Sequence, residues 1–311
     1  MKSSLNLLSL LPLAFAAKLA TVHQFPNGTW IENIASTRNS SLLVTVIGRA
    51  EVHIINLLPS PPTSSLLTTF PSRNSVTGIT ELSPNHFAIA VGNLTASNTP
   101  VANTSQIWTI DASRTPPQIE LARDIPTASM INGITSLDSH TLLMADSWRG
   151  NILALDLRTN KYAVALEDES LKANFSHPTL PLGVNGIRYH APTKYLYYTN
   201  TVQNLLGRVA IDPHTAMSRG RFEVIAQGEM IAQPDDFVVR RDGSVVLARP
   251  LADQVVCVRG GGRVEVLAEG GLASGGTSVV SGGSEGELFV GESGLKGGVV
   301  ASGGRVVRVE L

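Results

Sequence analysis

The chain has 311 residues, with 24 Lys plus Arg against 25 Asp plus Glu, and its charged fraction of 16% is low beside the roughly 25% of ordinary soluble domains. With a net charge of −1 and no cluster of Lys and Arg, it lacks the electrostatic footprint of a nucleic-acid binder. Hydrophobic residues make up 43%, enough to bury a full core, so global disorder is excluded and the length suits two domains or one large β-rich domain.

Met1, Lys2 and a Ser pair precede an apolar-rich run from Leu5 to Ala17, and Ala14-Phe15-Ala16 supplies a small-x-small cleavage pattern. Residues 1–16 therefore read as a secretory signal peptide and 17–311 as one folded domain. The run is shorter than the roughly 20 residues of a membrane span, so the expectation is a secreted protein with no membrane attachment after cleavage. Sequons at Asn27, Asn39, Asn93, Asn103 and Asn174 are expected N-glycan sites in that compartment. The single Cys257 has no intramolecular partner. Stability must then come from core size, which a closed β architecture provides.

Six repeats follow. Their anchors are Glu32-Asn33-Ile34, Thr77-Gly78-Ile79, Asn132-Gly133-Ile134, Asn185-Gly186-Ile187, Asp235-Asp236-Phe237 and Thr277-Ser278-Val279, at steps of 45, 55, 53, 50 and 42 residues. In each, 13 or 14 residues on, a β-prone run ends in a small residue: Thr45, Ala90, Ala145, Thr199, Ala248 and Gly291. Further strands are expected at Gln106–Asp111, Asn151–Asp156, Gly207–Asp212 and Val255–Arg259. Units of this length with about four strands each have the period of propeller blades. The sequence predicts an all-β fold, a six-bladed β-propeller with four-stranded antiparallel blades. One short helical stretch is expected around Asp168–Asn174. Arg259-Gly260-Gly261-Gly262-Arg263 and Ser302-Gly303-Gly304-Arg305 each read as a hairpin turn between Val-rich runs. The terminal strand Arg305–Val309 is expected to pair near Ala20–Phe25 and close the ring.

Several apparent motifs carry no chemistry. Gly282-Gly283-Ser284-Glu285-Gly286 matches a nucleophile elbow, but a strand rather than a helix follows it. The seven His residues show no zinc-site spacing. Cys257 reads as a buried strand residue. The anchor column remains: Glu32, Thr77, Asn132, Asn185, Asp235 and Thr277 all carry a side-chain oxygen, and pseudo-symmetry would bring them to one height around the channel. Such oxygens suit a hard cation. They equally suit a structural role, satisfying backbone groups where each inner strand begins.

Glu32, Asn132, Asn185 and Asp235, in their Asn-Gly-Ile and Gln-Pro-Asp-Asp contexts, resemble the senescence marker protein, gluconolactonase and luciferin-regenerating enzyme superfamily. Its members are six-bladed propellers with one divalent ion in the channel, and many hydrolyse sugar lactones. The resemblance implies Glu32, Asn185 and Asp235 as metal ligands for one divalent cation, Ca²⁺ foremost, with Asn132 a ligand or substrate contact, Asp235 the group activating water, and no organic cofactor. Two departures stand out: Thr29-Trp30-Ile31-Glu32-Asn33 replaces a Glu-Gly-Pro motif, and Asp236 replaces the Gly after the metal-binding Asp.

The signal segment, the opening Thr29–Ala35 and the Asn-Gly-Ile anchors are similar to a fungal secretory branch that includes hetero-Diels-Alderases of biosynthetic clusters. Those enzymes join an ortho-quinone methide to a terpene alkene. The resemblance implies a small-molecule cyclisation enzyme of specialised metabolism, in which Asp235, Asn132 and Asn185 would assist loss of water to form the quinone methide. Trp30, Trp148, Tyr189 and Tyr198 are candidates for stacking on a flat substrate, or for core packing. A metal-dependent lactonase and a non-catalytic ligand-binding propeller are the alternatives.

Overall fold

The computed structural model describes residues 17–177, 180–296 and 299–311. The expected signal segment, 1–16, lies outside the described residues. Strand β1 (Lys18–Gln24) is followed by blade one, formed by β2 (Trp30–Ser36), β3 (Ser41–Ile47), β4 (Glu51–Asn56) and β5 (Thr63–Thr69). Blade two holds β6 (Ser75–Ser83), β7 (His86–Gly92), β8 (Gln106–Asp111) and β9 (Gln118–Asp124). Blade three holds β10 (Ile131–Ser136), β11 (Thr141–Asp146), β12 (Asn151–Asp156) and β13 (Lys161–Leu166), and blade four β14 (Val184–His190), β15 (Tyr195–Asn200), β16 (Leu205–Ala210) and β17 (Glu223–Gln227). Blade five holds β18 (Phe237–Val239), β19 (Val245–Arg249), β20 (Gln254–Arg259) and β21 (Arg263–Glu269). The sixth begins with β22 (Gly276–Ser281) and β23 (Glu287–Glu292), is interrupted by a small hairpin of β24 (Leu295–Lys296) and β25 (Val299–Val300), and resumes with β26 (Arg305–Glu310).

Every pairing is antiparallel, and the sixth blade runs β22-β23-β26-β1. Its outermost strand comes from the start of the described chain: Lys18 opposes Glu310 and Gln24 opposes Arg305. The expected closure is present, and the predicted six-bladed propeller is the observed fold. Blades one and two are also joined by the pair Ile47 and Ser75.

The burial of each strand follows its place in a blade. β3 (SLLVTVI) is buried along its whole length because blades pack on both of its faces, so its apolar run does not alternate. β5 (TSSLLTT), an outer strand, is mostly polar and partly exposed. The core consists of layers between blades. Ile31, Ile34, Leu42, Val44, Ile55, Phe289 and Val306 form the one between the first and last blades.

The anchor residues sit where the inner strands lose register. Pairing shifts between Ile31 and Asn33, Val76 and Ile79, Ile131 and Ile134, Val184 and Ile187, and Gly276 and Ser278, so Glu32, Thr77, Asn132, Asn185 and Thr277 all lie in β-bulges. A bulge re-aims its side chain away from the ladder. In blade five Asp235 and Asp236 precede β18 directly. Glycine follows three of the anchors for a steric reason: a Cβ on Gly78 or Gly133 would overlap the carbonyl oxygen of Asn132 or Asn185 in the next blade.

Two local expectations are corrected. Gly303 and Gly304 do not turn a hairpin between Val-rich runs: Val299–Val300 pairs with Leu295–Lys296 instead, and a Cβ on Gly303 would collide with the carbonyl oxygens of Phe25 and Pro26. These glycines permit a close backbone approach at the ring closure. The helical stretch at Asp168–Asn174 contracts to one 3-10 turn, Glu169–Leu171, which Asp168 caps by accepting the Ser170 N–H. By contrast, Gly260–Gly262 does join β20 to β21, with φ of 75° at Gly261 and 74° at Gly262. Gly282–Gly286 is the turn between β22 and β23, and Cys257 is fully buried in β20.

Candidate active site in the channel mouth

The predicted site residues come together. Glu32, Asn132, Asn185, Asp235 and Thr277 all border one cavity of about 600 Å³ at the end of the channel where the inner strands begin. Its apolar walls include Trp30, from the start of β2, and Leu94, Trp148, Leu180, Leu182 and Leu251, brought by the segments that connect strands and blades. The result is a bowl with a polar floor and apolar sides, within the roughly 300–1,000 Å³ of sites that enclose a small organic molecule. A larger groove of about 740 Å³ lies between the first and last blades, at the opposite strand ends, and none of the six anchors lines it.

The anchors divide into two kinds. Thr77 and Thr277 are structural: Thr77 Oγ1 donates to Ile131 O at 2.7 Å, and Thr277 Oγ1 to Ile31 O at 3.1 Å, each tying one inner strand to its neighbour. Thr45 and Thr199 repeat this from the second strand, donating to Thr77 O and Asp235 O at 2.7 Å. For the threonines, the backbone-satisfying role holds.

Glu32, Asn132, Asn185 and Asp235 differ. Asn185 donates its amide to Thr201 Oγ1 at 2.9 Å, while its Oδ1 is buried with no hydrogen-bond partner among the described residues. Burial pushes the Glu32 carboxyl up to about 7, the charge of Asp236 adds to the rise, and the nearby Trp30 indole opposes it. Asp235 is half-buried and lines the cavity; its carboxyl is raised well above the ordinary value by burial first, then by Glu32 and Asp236, against the Asn185 amide. Two repelling carboxyls in an enclosed site either share a proton or are balanced by a cation.

One polar network was not anticipated from the sequence, although Asp236 stands out there as a departure. Beneath the floor, Asp236 Oδ2 accepts the Asn33 amide at 2.8 Å and pairs with the Arg188 guanidinium. Asn33 and Asp236 occupy the position that is glycine in three other repeats, and this filled position is the signal that could have revealed the network. The stacking candidates separate as well. Trp30 and Trp148 line the cavity, and Trp148 meets Phe175 edge-on at 5.2 Å between ring centres. Tyr198 is fully buried, its OH 2.7 Å from Ser170 Oγ, and Tyr189 packs against the same core layer; neither borders the cavity.

Among the described residues no group of three or more His, Cys, Asp or Glu side chains is arranged to hold a metal ion. The donor set offered here is two carboxyls and two amides. The unpartnered Asn185 Oδ1 is the kind of oxygen a hard cation takes. Glu32, Asn185 and Asp235 therefore fit such an ion, with Asn132 beside them.

No protein-family profile matches the chain. It is distantly similar to two curated proteins. "Putative hetero-Diels-Alderase asR5" of Sarocladium schorii is 27% identical over 218 residues, covering 62% of this chain and 53% of that protein. A "Putative hetero-Diels-Alderase" of a Phoma species is 26% identical over 216 residues, covering 61% and 60%. The chain thus spans between half and two thirds of the length of these relatives. Among solved structures, a luciferin-regenerating enzyme superposes with a TM-score of 0.69 at 16% identity, and regucalcin of Agrobacterium tumefaciens, described as a calcium-binding protein, with 0.66 at 16%; both cover 95% of each chain. The chain has the propeller fold of these proteins.

Proposed function

We propose that this protein is a cyclisation enzyme of the hetero-Diels-Alderase kind, with its substrates held in the channel mouth. The observation that carries the reading is the bowl itself, flat aromatic and aliphatic walls over a floor of Glu32, Asn132, Asn185 and Asp235. A hetero-Diels–Alder reaction joins a four-atom oxygen-containing diene to an alkene. One C–C and one C–O bond form from π electrons already present, and no proton or electron is lost. Such a step asks for confinement of both partners in a near-attack pose, not for a nucleophile. The raised carboxyls add a second capability. A shared proton on Glu32 and Asp235 can protonate the departing hydroxyl of an ortho-hydroxybenzyl alcohol, whose phenolic proton then returns to the pair, so that water and the quinone methide are formed with protons conserved. The names of the two distant relatives support this reading.

The test is incubation with an ortho-hydroxybenzyl alcohol precursor and an electron-rich alkene, read as the enantiomeric excess of the cyclic ether. An enriched product is expected. Racemic product at the uncatalysed rate sinks the reading.

A second reading is favoured by the unpartnered Asn185 Oδ1 and the hard donor set: a divalent-metal lactonase held by Glu32, Asn185 and Asp235. A bound Ca²⁺ would supply a Lewis acid and a more acidic water. Lactone hydrolysis abolished by a chelator and restored by Ca²⁺ would select it. In either case we place the protein in the secretory pathway, acting on small molecules, as the leader-like segment and the sequons suggest. Asn27, Asn39, Asn103 and Asn174 are exposed. Asn93 is engaged, its amide donating to Ser72 O and its Oδ1 accepting from Asn74 N–H.

A further inference from the structure

We infer that His177 is the hydrogen-bond donor that binds the oxygen of a flat ketone-like substrate in this cavity, a role that rests on the cavity being the substrate site. His177 lies outside the repeat anchors and lines the cavity wall, and it is the only imidazole among the lining residues.

Its surroundings fix which nitrogen is available. The ring Nδ1 accepts the Leu180 N–H at 3.1 Å. A ring nitrogen that accepts is unprotonated, so the neutral imidazole carries its proton on Nε2. No protein acceptor for Nε2 exists among the described residues. The ring is held by its own loop: Asn174 N–H donates to Pro181 O at 3.1 Å, Asn174 O accepts the His177 N–H at 3.0 Å, and Asn174 Oδ1 accepts the Ser176 N–H at 3.0 Å. A donor fixed in tautomer by a backbone bond, in a wall of Leu180, Leu182 and Trp148, is preorganised for an acceptor oxygen in an apolar setting. Glu32 and Asp235 are the other titratable groups of the cavity, and both sit on the floor. His177 therefore offers a second polar contact from the side, so a molecule can be gripped at two points. In a hetero-Diels–Alder reaction that bond falls on the diene oxygen and withdraws electron density from the diene, with no proton transferred.

The experiment is calorimetric titration of the full chain with tropone, a flat ring ketone, and with cycloheptatriene, the same ring size without oxygen. His177→Asn keeps an acceptor where Nδ1 lies, so the Leu180 bond and the loop are retained, but it places no donor at Nε2. It is expected to weaken tropone about tenfold and leave cycloheptatriene unchanged, since one unmet hydrogen bond is of that size. His177→Gln, whose amide nitrogen reaches the Nε2 position, is expected to restore most of the loss. Unchanged tropone affinity in His177→Asn, an equal loss for both probes, or no tropone binding by the unmodified protein would overturn the assignment. Neither probe has to react. Tropone discrimination without any enantiomeric excess in the cyclisation assay would therefore overturn the cyclase reading and leave the His177 assignment standing.

Discussion

Asn33 donates its side-chain amide to Asp236 Oδ2 across 2.8 Å, joining the first blade to the fifth between residues 203 positions apart in sequence. Arg188 of the fourth blade pairs with the same oxygen. Three blades are thus tied on the propeller axis beneath the cavity. Removing Asp236 leaves the Arg188 guanidinium, about one-fifth exposed, without its partner. Asp236→Ala is expected to lower stability by about 3 kcal/mol, at the low end for breaking a buried pair because Arg188 keeps some contact with water. Urea unfolding checks this, and a change below about 1 kcal/mol would mean the pair is solvated.

The glycines that follow the anchors make a steric prediction. A methyl on Gly133 would overlap Asn185 O and come within 2.9 Å of Gly186 Cα and Ile187 N, all of them backbone. Gly133→Ala should therefore destabilise by about 1–3 kcal/mol or more, as overpacking does. Gly283→Ala, at a position with no atom within 4 Å, should be close to neutral. Equal melting temperatures for the two variants would contradict the close approach of the inner strands.

Stability should depend on pH through Glu32. Its carboxyl rises from 4.5 to about 7 on folding, so between those values the folded state binds the proton more tightly. The stabilisation from the neutral acid is then fully present below about pH 4.5, is lost as pH climbs to about 7, and changes little above that. The amplitude is on the order of 3 kcal/mol at about 1.4 kcal/mol per pKa unit. Melting temperatures of the metal-free protein between pH 4.5 and 8 check the sign. Glu32→Gln should reduce the slope and leave the part contributed by Asp235, whose carboxyl is raised in the same direction.

The two aromatic positions should respond differently. Tyr198→Phe removes the 2.7 Å contact with Ser170 Oγ and should cost about 1 kcal/mol of stability without affecting ligand binding. Trp148→Ala opens the cavity wall and should reduce both tropone affinity and the enantiomeric excess of the cyclic ether. Loss of product selectivity in Tyr198→Phe would show that the buried ring communicates with the cavity.

The blades were readable because each repeat places a polar anchor and, 13 or 14 residues later, a small residue at the end of the second strand, a periodicity imposed by neighbouring inner strands. The same logic brought Glu32, Asn132, Asn185 and Asp235 together correctly. It failed where partners are set by the ring and not by the repeat. The repeat alignment does show Asn33 and Asp236 filling a slot that is glycine in three other repeats, but nothing local to them or to Arg188 announces that the three meet across blades. His177 was missed because it belongs to a loop with no counterpart in the other blades. Gly303 and Gly304 misled because two glycines beside Val-rich strands look alike whether they turn a chain or let two backbones touch.

The closure of the ring sets an order on synthesis. β26 lies between β23 and β1, so the sixth blade has no completed interior until residues near 305–310 have been made. Until then β1, which precedes β26 by about 280 residues, has no β26 edge to join, and the first five blades can form only an open arc. The apolar layer of Ile31, Leu42, Val44 and Phe289 remains half-covered for the same interval. A chain truncated before Arg305 would therefore lose the seam of the ring along with its last strand, and would be made with two unsealed edges exposed to any neighbour with a free strand.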